Sequence, residues 1–87
     1  MQFPDRTAEI EIHRQSARKY RAGRDHDRAR SSYFRWVESV RQQNVSTGGE
    51  LEKELDQAKR EYSEFVREDP LYNRILESAR AVIAVEP

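Results

Sequence analysis

Apolar residues recur every three or four positions along most of the chain, which is the spacing of one face of an α-helix. Glycine or proline breaks divide this pattern into four segments. The pattern predicts helices over residues 7–22, 26–43, 48–68 and 70–85. No segment alternates with a period of two over a useful length, so we predict an all-α fold.

Residues at the segment ends support these boundaries. Gly23 suits the left-handed position that ends a helix, because a residue without a Cβ atom avoids a steric clash there. Asp25 is expected to be the N-cap of the second helix. Thr47 and Glu50 have the spacing of a capping box, which predicts that the third helix begins between them. Asp69 stands directly before a proline, the arrangement of an N-cap followed by proline in the first turn.

The four apolar stripes are narrow, with a few large residues each. The candidate core residues are Ile10, His13, Ala17, Tyr20, Ala29, Tyr33, Trp36, Val40, Leu51, Leu55, Ala58, Tyr62, Phe65, Leu71, Ile75, Ala79 and Val82. In the fourth segment Tyr72, Leu76 and Ile83 widen the stripe. Short connections within each half predict two α-hairpins, packed as a small antiparallel bundle in a single domain over residues 1–87.

Composition agrees with a small bundle and narrows the chemistry. Only 36% of the 87 residues are hydrophobic and 37% are charged, so most of each helix must face water. The chain has no cysteine, which excludes disulfides, thiolate metal ligands and a cysteine nucleophile. The longest apolar run, residues 81–85, is far shorter than a membrane span, and the N-terminus lacks a signal-peptide pattern. We therefore expect a cytoplasmic protein that does not enter a membrane.

The zero net charge conceals a division between the two halves of the chain. Residues 1–44 contain ten basic and six acidic side chains, so their formal charge is +4. Residues 45–87 contain six basic and ten acidic side chains, so theirs is −4. This division favours electrostatic pairing between the two hairpins or between subunits.

Basic side chains are densest around the first turn. This basic corner consists of Arg14, Arg18, Lys19, Arg21, Arg24, Arg28 and Arg30. It is a candidate site for an acidic protein surface or for phosphate, and arginine favours bidentate contacts with either. The polar side of the second helix, with Arg28, Ser31, Ser32 and Arg35, is also compatible with a helix-turn-helix. The alternative is that these side chains are solvated and paired with the acidic hairpin.

Phe34 lies off the apolar stripe of the second helix, in a row with Val37 and Arg41. An aromatic residue beside arginine on a helix surface is typical of a protein interface. The alternative is that Phe34 packs beneath the fourth helix of the bundle.

The sequence contains little that indicates a catalytic or a metal-binding site. His13 lies on an apolar face, and His26 lies in the first turn of the second helix. Neither histidine has a nucleophile or a set of metal ligands at a recognisable spacing in the sequence. We expect no enzyme activity, no cofactor and no metal site.

These observations predict a non-catalytic protein that binds another protein, such as an adaptor, a subunit or a small inhibitor of the kind that phages and mobile elements encode. The first alternative is a nucleic-acid-binding protein that uses the basic corner. The second is a structural homo-oligomer, such as a homodimer, in which the stripe from Leu51 to Phe65 pairs between chains.

Overall fold

A computed structural model describes residues 6–85, with side chains up to residue 80. Over this range the chain forms four helices and no strand, which confirms the predicted all-α fold. The helices are α1 (Thr7–Ala22), α2 (His26–Ser46), α3 (Glu52–Glu68) and α4 (Pro70–Val85). The side chains of Val82 and Ile83 lie outside the described residues.

The turn between α1 and α2 places its left-handed residue one position later than predicted, although α1 ends at Ala22 as expected. Gly23 has φ −82°, and the left-handed residue is Arg24 with φ 58°. The N–H of Asp25 donates to the carbonyl of Tyr20 at 2.9 Å, which closes the turn. The prediction for Gly23 is wrong because this turn places its left-handed residue after the helix C-cap. Asp25 is the N-cap of α2 as predicted, accepting a bond from the N–H of Arg28 at 3.3 Å.

The junction between α2 and α3 differs from the predicted capping box. The hydroxyl of Thr47 donates back to the carbonyl of Gln43 at 3.0 Å, so Thr47 closes α2 instead of opening α3. Gly48 and Gly49 then take left-handed backbone angles, φ 75° and 100°. These two glycines end the helix and delay the start of α3 until Glu52.

Asn44 connects α2 to the start of α3 across this junction. Its side chain is only 7% exposed, and its Oδ1 atom accepts a bond from the N–H of Leu51 at 2.8 Å. This bond satisfies one of the backbone donors that precede α3. The helix therefore starts at a position fixed by a side chain seven residues upstream.

The core lies where α2 packs against α1 on one side and α3 on the other. The largest fully buried side chains are Trp36, Tyr33, Phe65 and Val40. The rings of Tyr33 and Phe65 stack with centroids 5.2 Å apart, which joins α2 to α3. The predicted inter-chain seam on α3 is therefore used within the chain, since Leu55 and Phe65 are buried in this core.

Helix α4 begins at the edge of this bundle and extends away from it. Its N-cap is Asp69, which accepts a bond from the N–H of Leu71 at 3.0 Å, as predicted. The molecule measures 56 × 32 × 20 Å, and its radius of gyration is 16.0 Å. A compact domain of this length would have a radius of about 12 Å. The molecule is elongated because α4 extends from the bundle, and much of the apolar face of α4 is therefore in solvent.

Candidate functional site

Two arginines of α1 hold the acidic helix α3 against the basic hairpin. The guanidinium of Arg18 donates to both carboxylate oxygens of Glu61, at 3.1 and 2.7 Å. Arg21 makes the same bidentate contact with Glu68, at 3.1 and 2.5 Å. Arg18 also lies over the ring of Trp36, 5.5 Å from its centroid. The hydrogen bonds from these arginines lower the pKa of both glutamates.

A third pair joins α2 to the start of α4. Arg30 donates to both carboxylate oxygens of Asp69, at 2.5 and 2.7 Å, and also to Asp27 at 3.0 Å. Asp69 is only 2% exposed, so its charge is compensated almost entirely within the chain. The hydrogen bonds from Arg30 lower the pKa of Asp69 despite its burial. One carboxylate thus caps α4 and binds α2.

The predicted basic corner is therefore largely engaged in contacts within the chain. Besides the three bidentate arginines, Arg14 pairs with Glu11, and Arg28 lies 3.6 Å from a carboxylate oxygen of Asp25. Among residues 6–85, Lys19 forms no ion pair. These contacts leave few of the seven side chains free to receive an external phosphate or carboxylate.

Three of the four residues predicted for the polar side of α2, Arg28, Ser31 and Arg35, are exposed. Ser32, which the sequence places on that side with Arg35, is only 9% exposed. It faces the bundle because α2 packs against α1 and α3 over a wide arc. The predicted polar side therefore loses one of its four residues to the interior of the bundle.

Arg24 and Arg74 border a shallow cleft between the first turn of α2 and the first turn of α4. The cleft has a volume of about 430 Å³ and is also lined by His26 and Leu71, with Asp25 and Asp27 at its acidic side. No ion pair within residues 6–85 involves Arg24 or Arg74. Free basic groups and an apolar side chain of α4 thus meet at this edge of the molecule.

Phe34 does not pack beneath α4. It is 56% exposed and lies between two shallow clefts, one toward α1 beside His13 and one toward α3 beside Tyr62. Of its two predicted neighbours, Val37 packs against the core, whereas Arg41 is exposed and pairs with Glu38 at 2.6 Å. Phe34 is therefore an isolated apolar side chain among polar ones.

The larger exposed apolar surface is on α4, where the sequence predicts core residues. Leu71, Tyr72 and Ile75 are 43%, 41% and 60% exposed. Arg74 and Arg80 are exposed on the same helix, without an ion pair in the part of the chain that the structure describes. The regular amphipathic spacing of this segment was the signal that an apolar helix face would be present. The spacing alone does not reveal whether the apolar face packs within the chain.

The described part of the chain contains no group of three or more acidic or histidine side chains placed to hold a metal ion. None of its helices combines the length and apolar character that crossing a membrane would require. Comparison with protein-family models, curated proteins and solved structures finds no match.

Proposed function

We propose that this chain is a non-catalytic protein-binding module that docks on its partner through α4. The observation that carries the proposal is the exposed apolar face formed by Leu71, Tyr72 and Ile75. Several large apolar side chains on one helix face are more than the scattered exposed residues expected on a monomer surface. The proposal makes α4 the docking element and α1–α3 the body that supports it.

The length of α4 also supports a role in binding. A helix of 16 residues is marginal in water by itself, and most helices in proteins gain stability by burying an apolar face. In this chain Asp69 caps the helix and fixes its start, but Leu71, Tyr72 and Ile75 remain exposed instead of packing into the core. Docking on a protein groove supplies the missing burial.

Nucleic-acid binding has weaker support. Arg18, Arg21 and Arg30, which lie in the basic corner, donate their guanidinium bonds to Glu61, Glu68 and Asp69. A phosphate would have to compete with these bidentate contacts. The whole chain also has no excess of positive charge.

Site-specific photo-cross-linking in the native host tests the proposal. A benzoylphenylalanine residue replaces Ile75 on the apolar face of α4, and a matched control places it at Lys59, an exposed position on α3. We expect an adduct with a second polypeptide from position 75 and none from position 59. Equal adduct yields at both positions, or no adduct at position 75, would contradict docking through α4.

A mobility-shift assay separates the alternative. At low salt we expect no shift of duplex DNA or single-stranded RNA, because most of the basic corner is paired within the chain. A shift that disappears in the Lys19→Glu, Arg24→Glu double variant would favour nucleic-acid binding instead.

A further inference from the structure

The apolar face of α4 is continuous and has defined edges. At about 100° per residue, Leu71 lies at one edge and Leu76 at the other, with Ile75 and Tyr72 between them. The arc spans about 140°, which is wider than the two-residue seam of a coiled coil. A face of this width fits into a groove better than it pairs with one narrow helix stripe.

An arginine borders each edge of this face. By the same geometry Arg74 lies about 60° beyond Leu71, and Arg80 lies about 40° beyond Leu76. Glu77, the acidic residue between them in sequence, lies about 170° from the centre of the face and so points away from it. The two borders are therefore basic, whereas the opposite side carries the carboxylate.

Neither bordering arginine is neutralised within the described chain, and both are exposed. This contrasts with Arg18, Arg21 and Arg30, each of which has a bidentate carboxylate partner. Arg24 adds a further guanidinium without an ion pair in the described chain, and it lines the same cleft as Leu71 from the side opposite α4. The apolar face is thus framed by positive charge that has no partner inside residues 6–85.

The charge pattern disfavours a second copy of this chain as the occupant. When two α4 helices pair face to face, the groups at the borders are arginines on both sides, and Glu77 is too far around the helix to meet them. Phe34, the exposed aromatic residue of α2, is also beside basic groups, Arg30 and Arg35. Self-association through α4 or through Phe34 would therefore place like charges together.

An anionic membrane is also less suitable than a protein. Helices that lie in a membrane interface carry a polar face rich in lysine and arginine, whereas the polar face of α4 includes Glu77. An anionic leaflet is an extended surface that would meet the whole acidic half of the chain, whose formal charge is −4, whereas a groove meets α4 alone.

We propose that the partner is a protein with an apolar groove bordered by carboxylates, and that α4 lies in this groove with Arg74 and Arg80 paired to opposite borders. This inference rests on the proposed function and adds the chemistry of the partner. The apolar face supplies most of the affinity, and the arginines supply orientation and selectivity.

Ca²⁺-loaded calmodulin serves as a probe of this chemistry, because its open lobes present an apolar groove that binds basic amphipathic helices. The full-length chain is titrated into calmodulin by calorimetry with Ca²⁺, and again with a chelator that closes the groove. We expect micromolar binding with Ca²⁺ and none with the chelator. Binding that survives the chelator would indicate charge attraction alone and overturn the proposal.

Variants on three sides of α4 test the geometry. Ile75→Asp should weaken calmodulin binding by at least about tenfold, because it places a charge in the groove. The Arg74→Glu, Arg80→Glu double variant should weaken it by about tenfold at low salt, and less at high salt. The matched control Glu77→Gln, on the opposite side of the helix, should change the affinity by less than about twofold. Equal effects of all three would contradict a bordered face.

Two further measurements test whether a second copy of the chain or an anionic membrane covers the face instead. Sedimentation velocity should show a monomer at micromolar concentration, and flotation with vesicles of three parts phosphatidylcholine to one part phosphatidylserine should show no binding. Concentration-dependent dimers that Ile75→Asp abolishes, or vesicle binding without calmodulin binding, would overturn the proposal. If the Arg74→Glu, Arg80→Glu variant keeps the cross-link from position 75, the acidic groove is wrong but the proposed function stands. Absence of that cross-link when Arg74 and Arg80 are unchanged contradicts both.

Discussion

Most apolar side chains and most arginines of helices α1–α3 find partners within the described chain, whereas in α4 most of them do not. Trp36 is fully buried and Ile75 is 60% exposed, although both lie on regular amphipathic stripes. Arg18 has a bidentate carboxylate partner, and Arg74 has no ion pair within residues 6–85. The same residue types thus serve cohesion in one region and remain available for binding in the other.

The contrast is sharpest in the free energy of unfolding. Trp36→Ala removes a fully buried ring and should destabilise the chain by about 3–5 kcal/mol, whereas Ile75→Ala should change stability by less than about 0.5 kcal/mol. Urea unfolding followed by circular dichroism measures both. If Trp36→Ala does not fold, the smaller change Trp36→Phe provides the comparison. Comparable losses at positions 36 and 75 would mean that α4 belongs to the core.

The connection between the two regions should break at Asp69. Asp69→Asn keeps a residue that can cap α4 but leaves the Arg30 guanidinium without its anion, so we expect a loss of about 2–3 kcal/mol. The matched control is Glu68→Gln, because Glu68 is half exposed and its pair with Arg21 should contribute less than about 1 kcal/mol. A double-mutant cycle with Arg30→Met isolates the pair. Equal losses for the two variants would contradict a special role for the buried pair.

Acid should weaken the same connection. Because the pKa of Asp69 is lower in the folded chain than in the unfolded chain, its contribution is complete above about pH 5 and is lost as pH falls through the folded pKa. Glu61 and Glu68 act in the same direction. The difference in urea midpoint between the unaltered chain and Asp69→Asn should therefore shrink in acid. A difference that stays constant from neutral pH to about pH 2.5 would contradict this linkage.

The smallest expected effect concerns Arg24, which lies at the boundary between the two regions. Its φ of 58° disfavours any residue with a Cβ atom, so Arg24→Gly should stabilise the chain by about 0.5–1 kcal/mol. The control Gly23→Ala should be tolerated, since its φ is −82° and an added Cβ would lie 3.5 Å from the nearest atom, the carbonyl of Lys19. Thermal unfolding measures both changes. Destabilisation by Arg24→Gly would show that the Arg24 side chain stabilises the fold by more than the left-handed backbone angle destabilises it.

Much of the fold followed from the sequence because its signals are local. The predicted bounds of α1 and α4 match the structure, since proline, Asp69 and the turn around Gly23 mark those ends. The start of α3 was wrong because the hydroxyl of Thr47 can bond forward or backward along the chain. Two left-handed glycines determine that it bonds backward, and the spacing of Thr47 and Glu50 does not reveal this.

The candidate site was harder to predict because it depends on what each helix does not contact. The charge division indicated pairing between the two halves, but the partners of Arg18, Arg21 and Arg30 depend on the helix register. The apolar stripe of α4 resembles that of a core helix. Only the direction in which α4 leaves the bundle distinguishes a core stripe from the docking face that we propose.

That direction is set at Asp69, where α4 begins. With about 1.5 Å of rise per residue, a 16-residue helix reaches about 24 Å from its first turn. A rotation of about 10° at its base would displace its far end by about 4 Å, roughly the width of one side chain. The two bonds between Arg30 and Asp69 therefore control where the tip of α4 can reach, although they lie at the other end of the helix. Small angular changes at this joint would alter which partner surfaces α4 can meet.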